Sequence, residues 1–196
     1  MDQTARTGLR RGLLASREAM PPAARDAAQA AIVERLPPIV GQLLAARGAT
    51  TTAGQTRPVI GAYLPFRGEP DVSAAVARWR ADGFAMALPK VLARDAPLVF
   101  GRWEEGMLLV PDRYGIAVPE PFVAVSPSLL VVPCVGFDPR GFRLGYGGGF
   151  YDRTIAALAV PAVGVAFDAA RIDGFEPGPH DMRLDAIVTP GAAWRP

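Results

Sequence analysis

The chain has 196 residues, of which 50% are hydrophobic and 20% charged, and its formal net charge is +2. A chain of this length can bury enough apolar surface to fold without disulfide bonds or a structural metal, so we predict a single domain over residues 1–196. Cys134 is the one cysteine, which excludes an intrachain disulfide. Acidic and basic residues alternate along the chain instead of clustering, and we therefore predict no nucleic-acid partner.

Membrane and export signals are absent from the sequence. The strongest apolar run, SLLVVP at residues 128–133, has the length of a strand, far below the roughly 18 residues of a membrane span. The first twenty residues carry Asp2 and have arginines on both sides of their leucines, unlike a secretory signal. We expect a cytoplasmic monomer with no membrane partner, and a lone cysteine suits a reducing compartment.

The N-terminal quarter of the chain is predicted to be helical. Residues 4–47 are rich in alanine, and their leucines, valines and Ile32 recur at helical spacings. A turn is predicted at residues 20–26, where a proline begins the second helix, and Pro37 and Pro38 should break or kink that helix. The polar residues 47–58 are predicted to form a loop.

The rest of the chain alternates strands and helices. Strands are predicted at 58–64, 84–89, 97–103, 129–133, 162–167 and 185–190, and helices at 71–82 and 149–158. The apolar runs in these strands are continuous, which is typical of strands that are covered on both faces. We therefore predict an α/β sheet with helices on each side and a ligand site at the carboxyl ends of the strands.

A glycine cluster stands out in the sequence RLGYGGGFYDR at residues 143–153, where four of the five residues 145–149 are glycine. Bare backbone ahead of a helix offers N–H groups and a positive helix end, which favour a phosphate or a carboxylate. The segment matches neither standard phosphate motif: it lacks the Lys-Ser/Thr end of a P-loop, and about a dozen residues separate it from the preceding strand. A tight loop that closes onto the sheet is the alternative interpretation.

Asp152 follows the glycines in the first turn of the predicted helix, where the helix dipole alone already favours a carboxylate. A carboxylate beside a polyphosphate requires a cation between them, and Mg²⁺ is typically held by one or two carboxylates together with phosphate oxygens. The pattern thus indicates a magnesium nucleotide more than free phosphate. Asp181, just before the last predicted strand, is the candidate for a second carboxylate.

The segment VVPCVGFDPRGFRLGYGGGFYDR, residues 131–153, resembles the signature of the 5-formyltetrahydrofolate cyclo-ligase family, also called methenyltetrahydrofolate synthetases. Further matches follow in the family's order over nearly the whole chain: RTGLR at 6–10, YLPFRGE at 63–69, LPK at 88–90, YGIAVPEP at 114–121 and HDMRLD at 180–185. The resemblance implies a three-layer α/β/α, Rossmann-like fold of the NagB/RpiA/CoA-transferase type with N-terminal helices.

The resemblance also implies a ligase of one-carbon metabolism. Such an enzyme uses ATP and Mg²⁺ to convert 5-formyltetrahydrofolate to 5,10-methenyltetrahydrofolate, with release of ADP and phosphate. The formyl oxygen is phosphorylated, the other folate nitrogen attacks the activated carbon, and phosphate leaves; this chemistry depends on positioning and charge neutralisation. A non-catalytic folate- or nucleotide-binding relative and an enzyme similar to sugar-phosphate isomerases stay open as alternatives.

The resemblance assigns roles to residues of five segments. Arg10 and Arg143 would be the catalytic cations, and Asp152 and Asp181 the metal ligands. ATP would be bound by Arg6, Thr7, Gly8, Leu9, Arg10, Arg143, Leu144, Gly145, Tyr146, Gly147, Gly148, Gly149, Phe150 and Tyr151. The folate would be bound by Leu64, Glu69, Tyr114, Tyr146, Gly147, Gly148, Gly149 and Phe150.

Two residues depart from the family pattern. Arg6 stands where lysine is common in the family. This keeps the positive charge but replaces a compact ammonium group with a planar guanidinium. Tyr146 stands inside the glycine cluster, where arginine also occurs, and so removes one cation near the phosphates. Arg140, Arg143 and Arg153 are the candidates to replace that cation.

Overall fold

The computed structural model describes residues 3–49, 57–174 and 176–196, so most of the predicted polar loop lies outside the described residues. The helices are α1 (Gln3–Glu18), α2 (Pro22–Ala46), α3 (Ser73–Ala81) and α4 (Phe150–Leu158), with a 3-10 turn at Asp168–Ala170. In the described part of the chain, no helix is both long and apolar enough to cross a membrane.

The strands include every strand that the sequence predicts, although most are shorter than expected. They are β1 (Val59–Gly61), β2 (Ala85–Lys90), β3 (Val99–Arg102), β4 (Leu108–Pro111), β5 (Ala117–Glu120), β6 (Ala124–Val125), β7 (Leu129–Pro133), β8 (Gly136–Phe137), β9 (Arg143–Leu144), β10 (Ala162–Val165), β11 (Ala186–Val188) and β12 (Ala193–Trp194). The short strands β4, β5, β6, β8, β9 and β12 were not predicted, although β4 lies in the apolar run at residues 107–111.

The second helix runs through its two prolines. Pro37 and Pro38 cannot donate to the carbonyls one turn earlier, yet α2 is continuous to Ala46, so the predicted break does not occur. The buried residues Leu36 and Val40 lie on either side of the proline pair and pack into the core of the sheet. Burial of this helix face offsets the missing hydrogen bonds.

The main sheet has eight strands in the order β12-β11-β10-β7-β1-β2-β3-β6. The five strands β11, β10, β7, β1 and β2 are parallel, and β12, β3 and β6 are antiparallel to their neighbours. Two antiparallel hairpins, β4–β5 and β8–β9, form separate two-stranded sheets. The α/β prediction is confirmed.

Alternate residues of the parallel strands face two separate cores. Val131 and Val163 pack with α2 and α3 on one face, whereas Leu130 and Ala162 pack with α4 on the other. Both faces are therefore covered, as the continuous apolar runs predict. A third, small cluster joins Leu9 of α1 to the β8–β9 hairpin and so holds the N-terminal helix against the segment that carries the glycines.

The strand order reverses next to β1. The chain passes from β1 to β2 on one side and later returns to β7 on the other side of β1. In open parallel sheets, the crevice outside the carboxyl ends of two such strands is the usual ligand site. Residues 62–69 follow β1 and residues 134–149 follow β7, so both predicted binding segments begin at this crevice.

Candidate active site

The glycine loop, residues 145–149, connects β9 to α4. Gly147 has a φ of 99° and Gly149 a φ of 65°, a region that residues with a side chain rarely adopt. Gly149 directly precedes α4, so the N–H groups of the first helical turn begin at this loop. A Cβ on Gly147 would lie 3.4 Å from the Arg10 guanidinium, which leaves bare backbone beside that cation. This arrangement is suited to an anion.

Two arginines of α1 reach the glycine loop and the segment that precedes β11. Arg10 donates from Nε to the carbonyl oxygen of Gly145 at 2.7 Å. Arg6 donates from Nη2 to Oδ2 of Asp181 and to the carbonyl oxygen of Glu176, both at 2.8 Å. Burial and the positive charge of Arg6 lower the pKa of Arg10 below its ordinary value. The two cations thus repel each other, and a bound anion would relieve that repulsion.

Arg143 forms an ion pair with the other predicted metal ligand. Its Nη1 lies 3.0 Å from Oδ1 of Asp152, and the side chain of Arg143 is 4% exposed. The same Asp152 oxygen accepts the N–H of Met182 at 2.9 Å. Arg143 therefore neutralises Asp152 and connects β9 and α4 with the segment that precedes β11.

Asp181 lies beside this pair, one residue before Met182. Burial opposes ionisation of Asp181, but hydrogen bonds from Arg6 and from the N–H of Gly178 outweigh that effect, so the pKa of Asp181 is lowered. The Gly178 hydrogen bond is 2.7 Å long and reaches the same oxygen as Arg6, Oδ2. Asp181 is thus an ionised carboxylate at neutral pH, as a metal ligand must be.

Glu69 lies in the segment that follows β1 and is only 5% exposed. Its Oε2 accepts the N–H of Phe66 at 2.9 Å, and its Oε1 accepts the hydroxyl of Tyr146 at 2.8 Å. Burial raises the pKa of Glu69 above its usual value, although these two hydrogen bonds and the charge of Arg17 oppose the shift. A carboxylate this deeply buried is stabilised by every further donor that it receives.

Tyr146 joins the glycine loop to Glu69. Its hydroxyl accepts a hydrogen bond from Nη2 of Arg17 at 2.6 Å and donates to Glu69, and its ring centroid lies 5.9 Å from that of Phe66. Burial, together with the charge of Glu69, raises the pKa of Tyr146 to about 12, so the phenol keeps its proton at neutral pH. The departure from the family pattern therefore builds a direct link between the two predicted binding segments.

Residues 2–190 match the model of the 5-formyltetrahydrofolate cyclo-ligase family. The chain belongs to this family. Two proteins named 5-formyltetrahydrofolate cyclo-ligase are similar to it: one from Mycolicibacterium smegmatis is 28% identical over 97% of this chain and 96% of its own length. The other, from Escherichia coli K12, is 33% identical over 79% of this chain and 90% of its own length. The resemblance found in the sequence is confirmed.

Solved structures support the same fold. A 5,10-methenyltetrahydrofolate synthetase from Mycoplasma pneumoniae superposes with a TM-score of 0.72 at 21% identity, covering 97% of this chain and 99% of that one. The NMR structure of the Aquifex aeolicus 5,10-methenyltetrahydrofolate synthetase superposes with a TM-score of 0.77 at 24% identity, covering 97% and 92% of the two chains. At these identities the likeness establishes the fold.

The Mg²⁺ that the cyclo-ligase family implies can be tested against the carboxylates of the chain. The hydrogen bonds within the described residues use Oδ1 of Asp152 and Oδ2 of Asp181, and leave Oδ2 of Asp152 and Oδ1 of Asp181 without one. Within the same residues, no group of three or more acidic, histidine or cysteine side chains is arranged to hold a metal. The pair fits Mg²⁺ in company with phosphate oxygens, which is how this ion is often held.

Of the arginines proposed to replace the missing cation, Arg153 contacts the glycine loop. Its Nη2 donates to the carbonyl oxygen of Gly148 at 2.6 Å. Arg140 pairs with Asp138 at 2.6 Å and Arg143 with Asp152, so each of them already neutralises a carboxylate.

Arg17 and Arg25 are site residues that sequence reasoning missed. Arg17 donates from Nε to the carbonyl oxygen of Arg67 at 3.1 Å, and Arg25 donates from Nη1 to that of Gly68 at 2.7 Å. Together they hold the segment that carries Glu69. A signal for Arg17 was available, because it follows Arg10 by seven residues, two turns along the same helix face.

In the described part of the chain, Tyr114 has no hydrogen bond or ring contact with the other predicted site residues. It lies in the turn of the β4–β5 hairpin and is 51% exposed. Within the described residues, its N–H donates to Asp112, and the Arg113 guanidinium carbon lies 4.9 Å from its ring centroid. Its contact with a folate stays a prediction.

Several predicted ATP ligands have packing or helix-internal roles. Leu9 packs against the buried Leu144. The hydroxyl of Thr7 donates to the carbonyl oxygen of Gln3 at 2.9 Å, within α1. Phe150 packs against the core beneath α4, with the Arg153 guanidinium carbon 5.3 Å from its ring centroid. The binding of ATP by these three residues stays a prediction.

Proposed function

We propose that this chain catalyses the conversion of 5-formyltetrahydrofolate and ATP to 5,10-methenyltetrahydrofolate, ADP and phosphate, with Mg²⁺. The observation that supports this activity most directly is the hydrogen bond of 2.8 Å between Tyr146 and Glu69. It joins the loop suited to phosphates to the carboxylate suited to a pterin. A phosphoryl donor and a folate bound at these two places would be neighbours, as transfer between them requires.

The glycine loop and the first turn of α4 would hold the phosphates of ATP. The left-handed Gly147 and Gly149 let the backbone approach an anion closely, and Arg10 stands beside Gly147. Phosphoryl transfer requires little covalent chemistry from the protein, so cations and N–H groups that stabilise the transferring group are sufficient. Arg10 would supply that charge, and Arg143 would act mainly by holding Asp152.

Glu69 would bind the pterin. Each carboxylate oxygen can accept two hydrogen bonds, and each oxygen of Glu69 accepts one in this structure. The remaining acceptor positions suit the N–H groups of a pterin, and the half-buried Leu64 lies in the same segment. Tyr114 would cover the ring from the β4–β5 hairpin.

Asp152 and Asp181 would hold the metal through the oxygens that accept no hydrogen bond from the described residues. Mg²⁺, when bound, neutralises charge on the phosphates. Arg6 and Arg143, paired with these two carboxylates, would keep them ionised and in place. No general acid or base is needed for transfer to the formyl oxygen, and the residues of this site supply charge and position.

The experiment is a turnover assay with ATP, Mg²⁺ and 5-formyltetrahydrofolate at neutral pH, read by the near-ultraviolet absorbance of the methenyl product. Controls without protein and without ATP exclude spontaneous cyclisation. We expect product that depends on both protein and ATP. Folded protein that binds ATP and 5-formyltetrahydrofolate without forming product would instead be a non-catalytic relative, and protein that binds neither would refute the assignment.

The remaining predictions concern the whole protein. We propose that residues 1–196 form one domain that acts as a cytoplasmic monomer. Cys134 is free and buried, which suits a reducing compartment. Burial raises the pKa of its thiol to about 12, so it would not act as a nucleophile at neutral pH.

A further inference from the structure

Arg17 is a buried cation with an unusual set of partners. Its residue is 6% exposed, and its guanidinium donates to the hydroxyl of Tyr146 and to the carbonyl oxygens of Arg67 and Cys134 at 2.6, 3.1 and 3.5 Å. Within the described residues, no carboxylate forms an ion pair with it. The nearest negative charge along its hydrogen bonds is Glu69, one hydroxyl away.

The hydroxyl proton of Tyr146 has one acceptor in this arrangement, Glu69. A phenol has a single O–H to donate, and Arg17 can only donate. Because Arg17 occupies the acceptor side of the Tyr146 oxygen, the hydroxyl proton is directed to Oε1 of Glu69. A buried cation and a buried anion are thereby connected through one oriented hydroxyl, which strengthens both hydrogen bonds.

We propose that Arg17 is a positioning residue of the folate site, which acts through Tyr146 to fix the carboxylate of Glu69 and to hold the glycine loop against it. The inference rests on the proposed function for the identity of the ligand. The two binding segments meet at this hydroxyl, so the contact that orients the carboxylate of Glu69 also holds the glycine loop against it. In this proposal, Arg17 acts on the folate through Tyr146 and not by direct contact.

Arg25 provides the matched control, because it holds the same segment without reaching Tyr146. It donates to the carbonyl oxygen of Gly68 at 2.7 Å and to that of Arg17 at 2.6 Å, and its guanidinium carbon lies 5.7 Å from the ring centroid of Phe167. A purely structural role of Arg17 would resemble that of Arg25. A positioning role through the hydroxyl would depend on Tyr146, whereas the role of Arg25 would not.

The test is a double-mutant cycle on the affinity for 5-formyltetrahydrofolate, measured by calorimetry without ATP. Arg17→Met and Tyr146→Phe should each weaken binding by about tenfold, the effect of losing a hydrogen bond to a charged group. The double variant should stay within about twofold of Tyr146→Phe alone, because Arg17 acts through the hydroxyl. Arg25→Met combined with Tyr146→Phe should give the product of the two single losses.

A second readout separates positioning from general damage. Because Arg17 holds the glycine loop through Tyr146, Arg17→Met should weaken the binding of Mg-ATP no more than Tyr146→Phe does, whereas a loosened fold would weaken the binding of both ligands beyond the effect of Tyr146→Phe. If Arg17→Met fails to fold, the same cycle is measured with Arg17→Lys and Tyr146→Phe. Arg17→Lys should then weaken the binding of 5-formyltetrahydrofolate only when Tyr146 is present. The proposal would be overturned if the double variant Arg17→Met/Tyr146→Phe lost folate affinity by the product of the two single losses. It would also be overturned if Tyr146→Phe bound 5-formyltetrahydrofolate as tightly as the native chain. A native chain that binds no 5-formyltetrahydrofolate would instead refute the proposed function and the ligand inferred from it.

Discussion

Arg6 and Asp181 form an ion pair, Nη2 to Oδ2, that is 2.8 Å long and spans 175 residues of sequence. Their side chains are 16% and 18% exposed, so the pair is largely shielded from water. It attaches α1 to the segment just before β11. One carboxylate thus holds the N-terminal helix in place and, in the proposed site, also binds the metal.

The first prediction concerns stability and pH. Asp181→Asn should lower the free energy of unfolding by about 1–2 kcal/mol at pH 7, a value reduced for partial solvent screening. Because the folded pKa of Asp181 is lowered, this stabilisation is complete above the pKa of about 3.9 of the unfolded chain and is lost as pH falls through the folded value. Urea unfolding of both proteins from pH 7 to pH 3 measures the difference. A difference that stays constant down to pH 3 would contradict the ion pair.

The second prediction separates the phosphate-side arginine from its neighbour. Arg10→Met should weaken the binding of Mg-ATP by about tenfold or more, because Arg10 lies beside Gly147 and holds the carbonyl of Gly145. Arg11→Met removes an equal charge from an exposed position of the same helix and should change the affinity by less than about twofold. Calorimetry without folate measures both variants. If both variants lost Mg-ATP affinity equally, the net charge of α1, and not the position of Arg10, would determine the binding.

The third prediction concerns the metal. Asp152→Asn should raise the Mg²⁺ concentration needed for half-maximal turnover by about tenfold or more, because it removes a charged ligand. The affinity for 5-formyltetrahydrofolate should stay within about twofold, since Glu69 and Tyr146 are untouched. A Mg²⁺ titration of the turnover rate and folate calorimetry make the comparison.

Loss of folding must be separated from loss of metal in that variant. Arg143 is buried, and Asp152→Asn deprives it of its partner. Urea unfolding of the variant therefore accompanies the assays, which are run where it is fully folded. If Asp152→Asn weakened folate binding as much as it raised the required Mg²⁺ concentration, Asp152 would not be a metal ligand.

The local features of the fold and site were predictable from the sequence. The parallel strands have continuous apolar runs, and the glycine cluster at residues 145–149 stands directly before α4, so each produced its own short-range signal. The break predicted at the proline pair was wrong because propensity is a local property. Whether α2 continues through Pro37 and Pro38 depends on the core against which it packs.

The contacts across the site were not predictable in the same way. Tyr146 and Glu69 are 77 residues apart, and they meet because β1 and β7 are neighbours in the strand order. A sequence pattern does not contain that order. The spacing from Arg10 places Arg17 on the same helix face, but an arginine on a helix is usually solvated. Its burial depends on the loops after β1 and β7 that pack against it, which the helix pattern does not contain.

The fourth prediction uses the titration of Glu69. Burial raises the pKa of Glu69, so this residue takes up a proton at a pH where an ordinary glutamate is still ionised. The affinity for 5-formyltetrahydrofolate should therefore fall as pH decreases through the raised pKa of Glu69, since the neutral acid accepts fewer hydrogen bonds from a pterin. The fold itself is not weakened by this protonation, because the folded chain binds that proton more tightly than the unfolded chain does. Tyr146→Phe should move this fall in affinity to higher pH, because it removes a hydrogen bond that favours the ionised carboxylate of Glu69. Glu69→Gln has no carboxylate here to titrate, so its affinity should follow only the pH dependence of the ligand. Calorimetry at fixed ionic strength measures the three profiles, and a native profile that coincides with that of Glu69→Gln would exclude Glu69 from the folate site.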